Sequence, residues 1–419
     1  MTQSISPDDA QYAFNVVKAI CDQVGPGVPA STQERERAEY IKKELSAHLG
    51  PENVVMEEFT LAPGTLLNTY PGVACMLLAV LLNIFGGCFG WISPWIPALL
   101  AFLFSLFMPV SFIVEFLLSR EALDWLFPKK TSINVIGKLR HPGSTDIKRL
   151  LIISGHHDSA PENTWIRFLG FGFYIFSGVF FIGAVLITVM CLFQLLGGVF
   201  SNQALIDLGT IGWVVLVFPI IPAMIYALFL TRGKKNGGVV PGAADNLSAC
   251  GVVVAMSRYL AQNPSDIPAD MEVCFITFGS EEVGLRGSRR YVARHLDELR
   301  RLDVRVLNYE IIAYPEISIL EKEVNGTVKC TPEVVKSAMA AAQRAGVPHK
   351  IGAGGLGAGS DAAPFLWAGL KATTLQGFKT PEQFLAFYHQ DRDTPDVLTI
   401  EPLMNVMKLT LEWIRARGE

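Results

Sequence analysis

The side chains best suited to chemistry are two histidines and three carboxylates, spread over more than half of the 419-residue sequence. They are His156, Asp245, Glu282, Glu310 and His389. All five stand at or just beyond predicted strand ends, which is where α/β proteins form their sites. Because imidazole and carboxylate groups are ligands that zinc takes from proteins, the set predicts a metal centre.

Two of these residues have local sequences that suit them to metal binding. The segment SGHHDSA, residues 154–160, ends a buried predicted strand. Asp158 follows His156 by two positions and points the same way, so it could hold the imidazole ring by a hydrogen bond. The segment GAADNLSACG, residues 242–251, places Asp245 where a helix begins. The positive end of that helix favours an ionised carboxylate, which can bridge two cations.

The other three ligands lie in the second half of the chain. The segment FGSEEVGLRGS, residues 278–288, places two carboxylates side by side after another central strand. One of them can bind metal while its neighbour acts as a general base. Glu310 ends the strand predicted over 304–311, and His389 lies in FYHQDRDTP, residues 387–395.

In this order, the blocks resemble the M28 zinc aminopeptidases, whose pattern is approximately HxDS, DNxSG, EExGLxGS, NxD, SD and YHxxxDT. The resemblance covers approximately residues 7–60 and 132–419, less an apolar segment between the first two blocks. It implies an enzyme with two zinc ions that removes N-terminal residues from peptides. One zinc would be bound by His156, Asp245 and Glu310, and the other by Asp245, Glu282 and His389.

The resemblance also implies roles for residues around the metals. Glu281 would be the general base, and Asp158 would hold the ring of His156. The substrate-binding site would be lined by Ser360, Asp361 and Tyr388.

Three departures from the family pattern carry expectations of their own. Glu310 stands where the family usually has Asp, so we expect metal binding to be retained with shifted geometry. Ala249 replaces the usual Gly of DNxSG, which is expected to change only packing. Asp158 and Asp245, normally close in sequence, are 87 positions apart here, with a predicted membrane hairpin between them.

The elements that position these residues follow from periodicity. Helices are predicted over 7–24, 32–48, 246–261, 286–296, 332–345, from about 361, and over 400–417. Strands are predicted over 53–61, 132–140, 149–157, 271–279, 304–311 and 371–376, and a glycine-rich loop over 352–359. This alternation predicts an α/β fold, a three-layer αβα sandwich around a mostly parallel mixed sheet.

Two long apolar blocks interrupt that pattern. Residues 66–114 contain no Asp, Glu, Lys or Arg, and residues 168–231 contain only Asp207. Because about 20 apolar residues cross the hydrocarbon core as a helix, four transmembrane helices are expected as two hairpins. We place them near 71–91, 96–116, 168–193 and 209–231, with residues from Gly197-Gly198 through Asp207 as the turn of the second hairpin.

Flanking charges predict the orientation of these hairpins. Lys and Arg residues follow the first hairpin and lie on both sides of the second, while the hairpin tips carry none. The positive-inside rule therefore places both termini and the catalytic domain in the cytoplasm. The peptidase domain would comprise residues 1–65, 119–166 and 233–419, with hairpins at 66–118 and 167–232. Residues 120–130 are interpreted either as a short amphipathic helix at the membrane interface or as an ordinary linker.

The remaining composition excludes some functions and leaves others open. A formal net charge of -4 offers no electrostatic basis for nucleic-acid binding, and seven scattered cysteines are typical of reduced thiols. The predicted spans lack charges apart from Glu115, which argues against a transporter. The expected partners are a peptide substrate, apolar or delivered by the membrane, and the lipid bilayer. The alternatives are a glutaminyl-cyclase-like acyltransferase with one zinc and a catalytically dead membrane receptor or scaffold.

Overall fold

The computed structural model describes residues 4–67, 70–85, 93, 95–144, 146–212, 221, 238–354, 359–378 and 380–419. The chain forms two compact units, each built from segments that are distant in sequence. The first unit comprises Met1–Pro63, Phe127–Glu162 and Gly233–Glu419, and the second comprises Gly64–Leu126 and Asn163–Arg232.

The first unit is built around an eight-stranded mixed sheet in the order β1-β2-β4-β3-β5-β10-β6-β9. Its strands are β1 (Val54–Leu61), β2 (Lys130–Arg140), β3 (Arg149–His156), β4 (Met271–Phe278), β5 (Asp303–Ile312), β6 (Ile317–Leu320), β9 (His349–Gly352) and β10 (Lys371–Gly377). A separate small hairpin consists of β7 (Lys322–Glu323) and β8 (Val328–Lys329). Four of the sheet's pairings are parallel, β3/β4, β3/β5, β5/β10 and β6/β9, and the other three are antiparallel. This confirms the expected α/β fold with a mostly parallel mixed sheet.

Helices cover both faces of that sheet. In chain order, the α-helices of the described residues with full bounds are α1 (Pro7–Gln23), α2 (Thr32–Leu49), α3 (Gly64–Leu67), α4 (Tyr70–Phe85), α5 (Trp95–Ser111), α6 (Thr164–Leu169), α7 (Gly172–Phe200), α8 (Ser248–Gln262), α9 (Arg286–Leu299), α10 (Pro332–Arg344), α11 (Ala362–Trp367), α12 (Pro381–Leu385) and α13 (Ile400–Arg415). Helices α1, α2, α8, α10 and α13 build the larger buried core on one face, and α9 and α11 build a second core on the other. The three-layer arrangement follows from these two cores.

Both insertions begin and end at neighbouring backbone segments of the first unit. The first insertion leaves after β1 and returns before β2, whose residues Leu61 and Lys130 are antiparallel partners. The second leaves after Pro161, which forms an isolated antiparallel bridge with Val239. Paired backbone therefore closes each insertion, within the sheet for the first and outside it for the second.

The second unit contains the apolar helices. Two helical stretches are long and apolar enough to cross a membrane, Trp95–Leu117 and Gly172–Phe200, and a shorter apolar stretch spans Pro71–Asn83. The described residues thus contain two such helices rather than the four that we expected. Most of the fourth predicted span, near 209–231, lies outside the described residues.

One local prediction in the second unit is wrong. Gly197 and Gly198 were expected to begin a turn, but they lie inside α7, and the chain turns at Ser201 in the left-handed conformation. A side chain at Gly197 would come within 2.9 Å of Ile206 and Asn202, so glycine here permits close packing rather than a break. Of the two interpretations of residues 120–130, the structure agrees with the linker, since their only helical turn is the 3-10 turn Asp124–Leu126.

Candidate metal centre and active site

Three neighbouring parallel strands bring most of the predicted site residues to one edge of the sheet. His156 is the last residue of β3 and is aligned with Phe278, the last residue of β4. Glu281 and Glu282 follow β4 after a short turn, and Glu310 lies near the end of β5. Because the carboxyl ends of parallel strands meet at one edge, residues distant in sequence become neighbours there.

The five predicted ligands form two groups that share one residue. The potential donor atoms of His156, Asp245 and Glu310 lie within 4.8 Å of one another, and so do those of Asp245, Glu282 and His389. Asp245 Oδ1 lies 3.4 Å from His156 Nε2, and Asp245 Oδ2 lies 3.5 Å from His389 Nε2. The two oxygens of one carboxylate therefore face two different histidines, which is an arrangement that suits a pair of cations.

Asp158 organises the adjoining acidic pair. Its two carboxylate oxygens accept hydrogen bonds from the backbone N–H groups of Glu281 and Glu282, at 3.0 and 3.1 Å. Its Oδ1 also lies 3.3 Å from Nδ1 of His156. The other ring nitrogen of His156, Nε2, lies 3.7 Å from Oε2 of Glu281. Asp158 thus contacts both the histidine and the segment that carries the acidic pair.

A second buried aspartate supports the backbone around Asp245, and sequence analysis did not assign it a role. The carboxylate of Asp393 accepts hydrogen bonds from the N–H groups of Ala244, at 2.7 Å, and Asp245, at 3.1 Å. Asp393 belongs to the YHxxxDT block, so its position in that block was the available signal. The Asp245–Asn246 peptide bond is cis.

Two amides hold Glu310, and these contacts also escaped sequence analysis. Asn308 Nδ2 donates to Oε1 of Glu310 at 3.1 Å, and Asn246 Nδ2 donates to Oε2 at 2.9 Å. Asn246 also accepts a hydrogen bond from the backbone N–H of Ile311. The longer side chain at position 310 is therefore fixed at both carboxylate oxygens.

The site concentrates acidic groups where water is scarce. Burial, together with the charges of Glu310 and Glu282, raises the pKa of Glu281 well above its usual range. Burial likewise raises the pKa of Glu310, with Asp245 adding to the effect. Burial opposes protonation of His389, but the adjacent Glu282 and Asp245 carboxylates raise its pKa to about 10. Such an excess of buried carboxylates would be relieved by bound cations.

The donor set fits zinc. It consists of imidazole and carboxylate groups, and the ligand groups contain no cysteine among the described residues. Oε1 of Glu282 is buried and has no hydrogen-bond partner within the described part of the chain. Two histidines and three hard oxygen ligands are a combination that zinc accepts, and an unpartnered carboxylate oxygen is available for it.

The three residues expected to line the substrate site have different surroundings. Tyr388 stacks on His389 with ring centroids 3.8 Å apart, so its ring lies beside the metal-ligand group. Asp361 is fully buried, and burial raises its pKa to about 7 against the opposing charge of His156. Ser360 donates a hydrogen bond to the buried carboxylate of Glu323 at 2.9 Å, so its hydroxyl proton is engaged within the protein.

Comparisons with known proteins agree with this geometry. Residues 231–414 match the family described as Peptidase family M28. A segment of 180 residues is 34% identical to aminopeptidase YwaD of Bacillus subtilis, and it covers 42% of this chain and 38% of that protein's length.

Solved structures share the fold. The structure of BSAP, a zinc aminopeptidase from Bacillus subtilis, has a TM-score of 0.53 at 16% identity and covers 96% of this chain and 93% of its own. A glutaminyl cyclase from an Acidobacteriales bacterium has a TM-score of 0.54 at 12% identity and covers 100% of this chain and 97% of its own. At these identities the likeness concerns the fold, which enzymes of both activities use.

Proposed function

We propose that this chain, whose residues 231–414 match peptidase family M28, is a membrane-anchored aminopeptidase of that family that uses two zinc ions. The observation that carries the proposal is the position of Asp245, whose two carboxylate oxygens face His156 and His389 at 3.4 and 3.5 Å. One carboxylate between two ligand groups is suited to two cations and would be superfluous for one.

The chain's own residues would supply the proton transfers. Zinc, when bound, lowers the pKa of water and polarises a carbonyl group. Glu281 would take the proton from water on its carboxylate and deliver it to the leaving amine. Its burial and the neighbouring carboxylates raise its pKa, which suits a group that must hold a proton during turnover. Asp158 would keep Glu281 in place through the backbone N–H bond.

The acidic character of the site favours the amino end of a peptide. Asp361 is buried and Glu281 is largely buried, and burial raises the pKa of both carboxyl groups. Bound cations would offset this effect, and the ionised carboxylates would then attract a substrate's α-ammonium group and repel a terminal carboxylate. Tyr388, stacked on His389, would contact the side chain of the N-terminal residue. This distribution of charge supports removal of N-terminal residues rather than cleavage at the carboxyl end.

We propose further that the second unit spans the membrane four times and leaves the catalytic unit in the cytoplasm. Its support is the apolar helices Trp95–Leu117 and Gly172–Phe200, with large side chains such as Ile182, which is 59% exposed. Alkaline carbonate should leave the protein in the membrane pellet while detergent releases it. Accessibility of cysteines introduced at Gly198 and at Lys129 to a membrane-impermeant reagent should differ between intact cells and inverted vesicles.

The location of the insertions supports apolar or membrane-delivered peptides as substrates. The second insertion lies between His156 and Asp245 in the sequence, so the chain runs from one predicted metal ligand into the apolar helices and returns to the other. Reconstituted protein should cleave lipidated or apolar peptides faster than polar soluble peptides. Equal rates on both, with and without vesicles, would remove this part of the proposal.

The decisive experiment uses the full chain purified in detergent with a panel of aminoacyl fluorogenic substrates. Turnover that is lost on chelation and restored by zinc, with two zinc ions per chain, is the expected result. One zinc per chain together with cyclisation of N-terminal glutamine would instead indicate an acyltransferase. Absence of both turnover and bound metal would indicate a receptor or scaffold.

A further inference from the structure

Arg37, on helix α2, is a fully buried charged residue that the proposed reaction does not use. Its guanidinium donates three hydrogen bonds, and every acceptor is a backbone carbonyl. Nε donates to Gly25 at 2.8 Å, Nη1 donates to His157 at 3.1 Å, and Nη2 donates to Pro241 at 2.7 Å. An arginine placed this way joins three chain segments that are distant in sequence.

Two of those segments form the stem of the second insertion. We define the neck as residues 157–162, which lead into the insertion, and residues 238–242, which return from it. The two strands of the neck are paired, since Glu162 N–H donates to Gly238 at 2.8 Å and Val240 N–H donates to Ala160 at 3.0 Å. Along the chain, the neck therefore connects the insertion to the segments that carry the predicted ligands His156 and Asp245.

A second contact ties the neck to the same part of the N-terminal segment. Ser159 N–H donates to the carbonyl of Gly27 at 2.9 Å, and Gly27 N–H donates to Ser159 Oγ at 3.0 Å. A side chain at Gly27 would lie 2.9 Å from Cδ of Arg37, so this close approach requires glycine. The loop before α2 and Arg37 thus enclose the neck from one side.

Each segment of the neck lies close in sequence to a predicted metal ligand. His157 directly follows the predicted ligand His156, and Pro241 precedes Asp245 by four positions. We propose that Arg37 is a positioning residue for the metal centre: its guanidinium holds both neck segments and thereby fixes the spacing between His156 and Asp245. This inference rests on the proposed function, because it concerns the same metal ligands. It assigns to helix α2 a role in fixing the geometry of the metal centre.

The chemistry of arginine makes a sharp test possible. A guanidinium is a planar fork whose donors point in fixed, different directions, whereas a lysine ammonium is a single point of charge on a flexible stem. Arg37→Lys keeps the charge but cannot bond to all three carbonyls in the same geometry. Arg305 offers the matched control, since it is also buried and donates to the backbone carbonyl of Gly418 near the start of β5, away from the strand end that carries Glu310.

The experiment measures the zinc dissociation constant of the full chain in detergent by competition with a chromophoric chelator. Visible spectra of the cobalt-loaded protein report the ligand geometry, and melting temperature reports stability. We expect Arg37→Lys to weaken zinc binding by about 10- to 100-fold, as loss of residues that orient ligands does, and to alter the cobalt spectrum. Arg305→Lys should lower the melting temperature and leave the zinc affinity and cobalt spectrum unchanged.

Three results would overturn the inference. They are unchanged zinc affinity in Arg37→Lys, equal losses in Arg37→Lys and Arg305→Lys, and a cobalt spectrum identical to that of the wild type. If Arg37→Lys does not fold, Gly27→Ala decides the question in the same assay, because its Cβ would lie 2.9 Å from Cδ of Arg37 and would displace that side chain. Unchanged affinity there also overturns the inference. A wild-type chain that binds no zinc would overturn the proposed function itself, and with it this inference.

Discussion

At the scale of single residues, Glu281 and Glu282 show how adjacent carboxylates acquire different roles. Both backbone N–H groups bind the same Asp158 carboxylate, yet Glu282 Oε2 faces His389 at 3.3 Å while Glu281 Oε2 faces His156 at 3.7 Å. We expect Glu281→Gln to lower kcat by about 10²- to 10⁴-fold, since the amide cannot accept the proton, without loss of bound zinc. Metal analysis and steady-state rates of the same sample test this.

The neighbouring residue provides the control for that experiment. Glu282→Gln should lose zinc as well as activity, because it removes a charged ligand next to His389. Retention of more than a few per cent of the wild-type rate by Glu281→Gln would show that another group acts as the base.

Glu310 tests the departure from the family pattern. Its two oxygens are bound by the amides of Asn308 and Asn246, which define a carboxylate position that depends on the length of glutamate. We expect Glu310→Asp to weaken zinc binding by about tenfold, because the shorter chain cannot keep both amide contacts. Chelator competition measures the change, and Asn308→Leu should produce a loss of similar size. A gain of affinity in Glu310→Asp would show that the glutamate is not a ligand fixed by these amides.

The residues that the structure brings together could be recognised in the sequence, and so could Asp158, which contacts His156, but the other residues that hold them could not. Histidines and carboxylates in family blocks can be recognised by type and spacing. Asp393 and Arg37 act through hydrogen bonds with backbone groups more than 100 positions away. No local pattern encodes such a contact, because the acceptor or donor is a peptide group that every residue carries.

At the scale of elements, the contact between β3 and α8 depends on one missing side chain. A Cβ atom at Gly155 would lie 2.4 Å from Cβ of Ala249. The first turn of α8 therefore packs so close to β3 that only glycine fits at position 155. Ala249 stands where the family pattern has glycine, and its methyl group occupies the space that a side chain at position 155 would need. The expectation that the substitution concerns packing is consistent with this contact.

A double-mutant cycle tests that contact. Gly155→Ala should reduce the free energy of unfolding by about 1–3 kcal/mol through overpacking, and the addition of Ala249→Gly should recover most of it. Denaturant or thermal unfolding in detergent measures both changes. Gly178→Ala is the control, because an added Cβ there meets no atom within 4 Å. Additive losses in the double variant would contradict direct contact.

The packing of α9 against β1 includes an ion pair that responds to pH. Nε2 of His295 lies 2.7 Å from Glu57 Oε1, and this hydrogen bond raises the pKa of His295. Burial would raise the pKa of Glu57, but His295 and Arg294 lower it. The contribution of His295 to the stability of the folded state is therefore complete below about pH 6.5 and is lost as pH rises through the raised pKa of its imidazole. The contribution of Glu57 to that stability is complete above about pH 4.5 and is lost as pH falls through the lowered pKa of its carboxyl group.

We accordingly expect His295→Gln to lower the melting temperature most between about pH 4.5 and 6.5, and less at pH 9. The effect should not exceed about 2–4 °C, since a partly exposed pair contributes less than about 1 kcal/mol. Thermal unfolding of both proteins across this pH range measures the difference. A difference that is constant with pH would mean that the side chain acts by packing alone.

Helices and strands could be predicted from the sequence where the periodic pattern of apolar residues extends over many positions. Helices α1, α2 and α13 and strands β3, β4 and β5 lie within a few residues of their predicted bounds. Strands β6 and β9 were missed because each has four residues, too few to show alternation. In α7 the glycine pair was interpreted as a turn, although glycine also permits close packing inside an apolar helix.

At the scale of the whole molecule, the first unit and its eight-stranded sheet are assembled from three separate segments of the chain. Each insertion starts and ends at paired backbone, Leu61 with Lys130 and Pro161 with Val239. Composition alone identifies the apolar blocks in the sequence, because long segments without charge are conspicuous. It could not predict that paired backbone would close each insertion, since that pairing depends on register within the folded unit.

Metal binding should couple to the stability of the whole first unit, because its ligands come from β3, β5, the segment after β4, and the loops that carry Asp245 and His389. Zinc at about 100 times its dissociation constant should stabilise the folded state by about 2.7 kcal/mol per site, provided that the unfolded chain does not bind. Zinc should therefore raise the melting temperature, and a chelator should lower it.

Because bound ligands must be deprotonated, the stabilisation by zinc should become smaller as pH falls. The decrease should be steepest near the raised pKa of His389, where protons compete with the metal for its imidazole. Thermal unfolding with zinc or chelator at several pH values measures this, and Glu282→Gln should show a smaller zinc effect than Glu316→Gln, whose carboxylate is outside both ligand groups. Identical melting temperatures with zinc and with chelator would mean that these five side chains hold no ion in the folded chain.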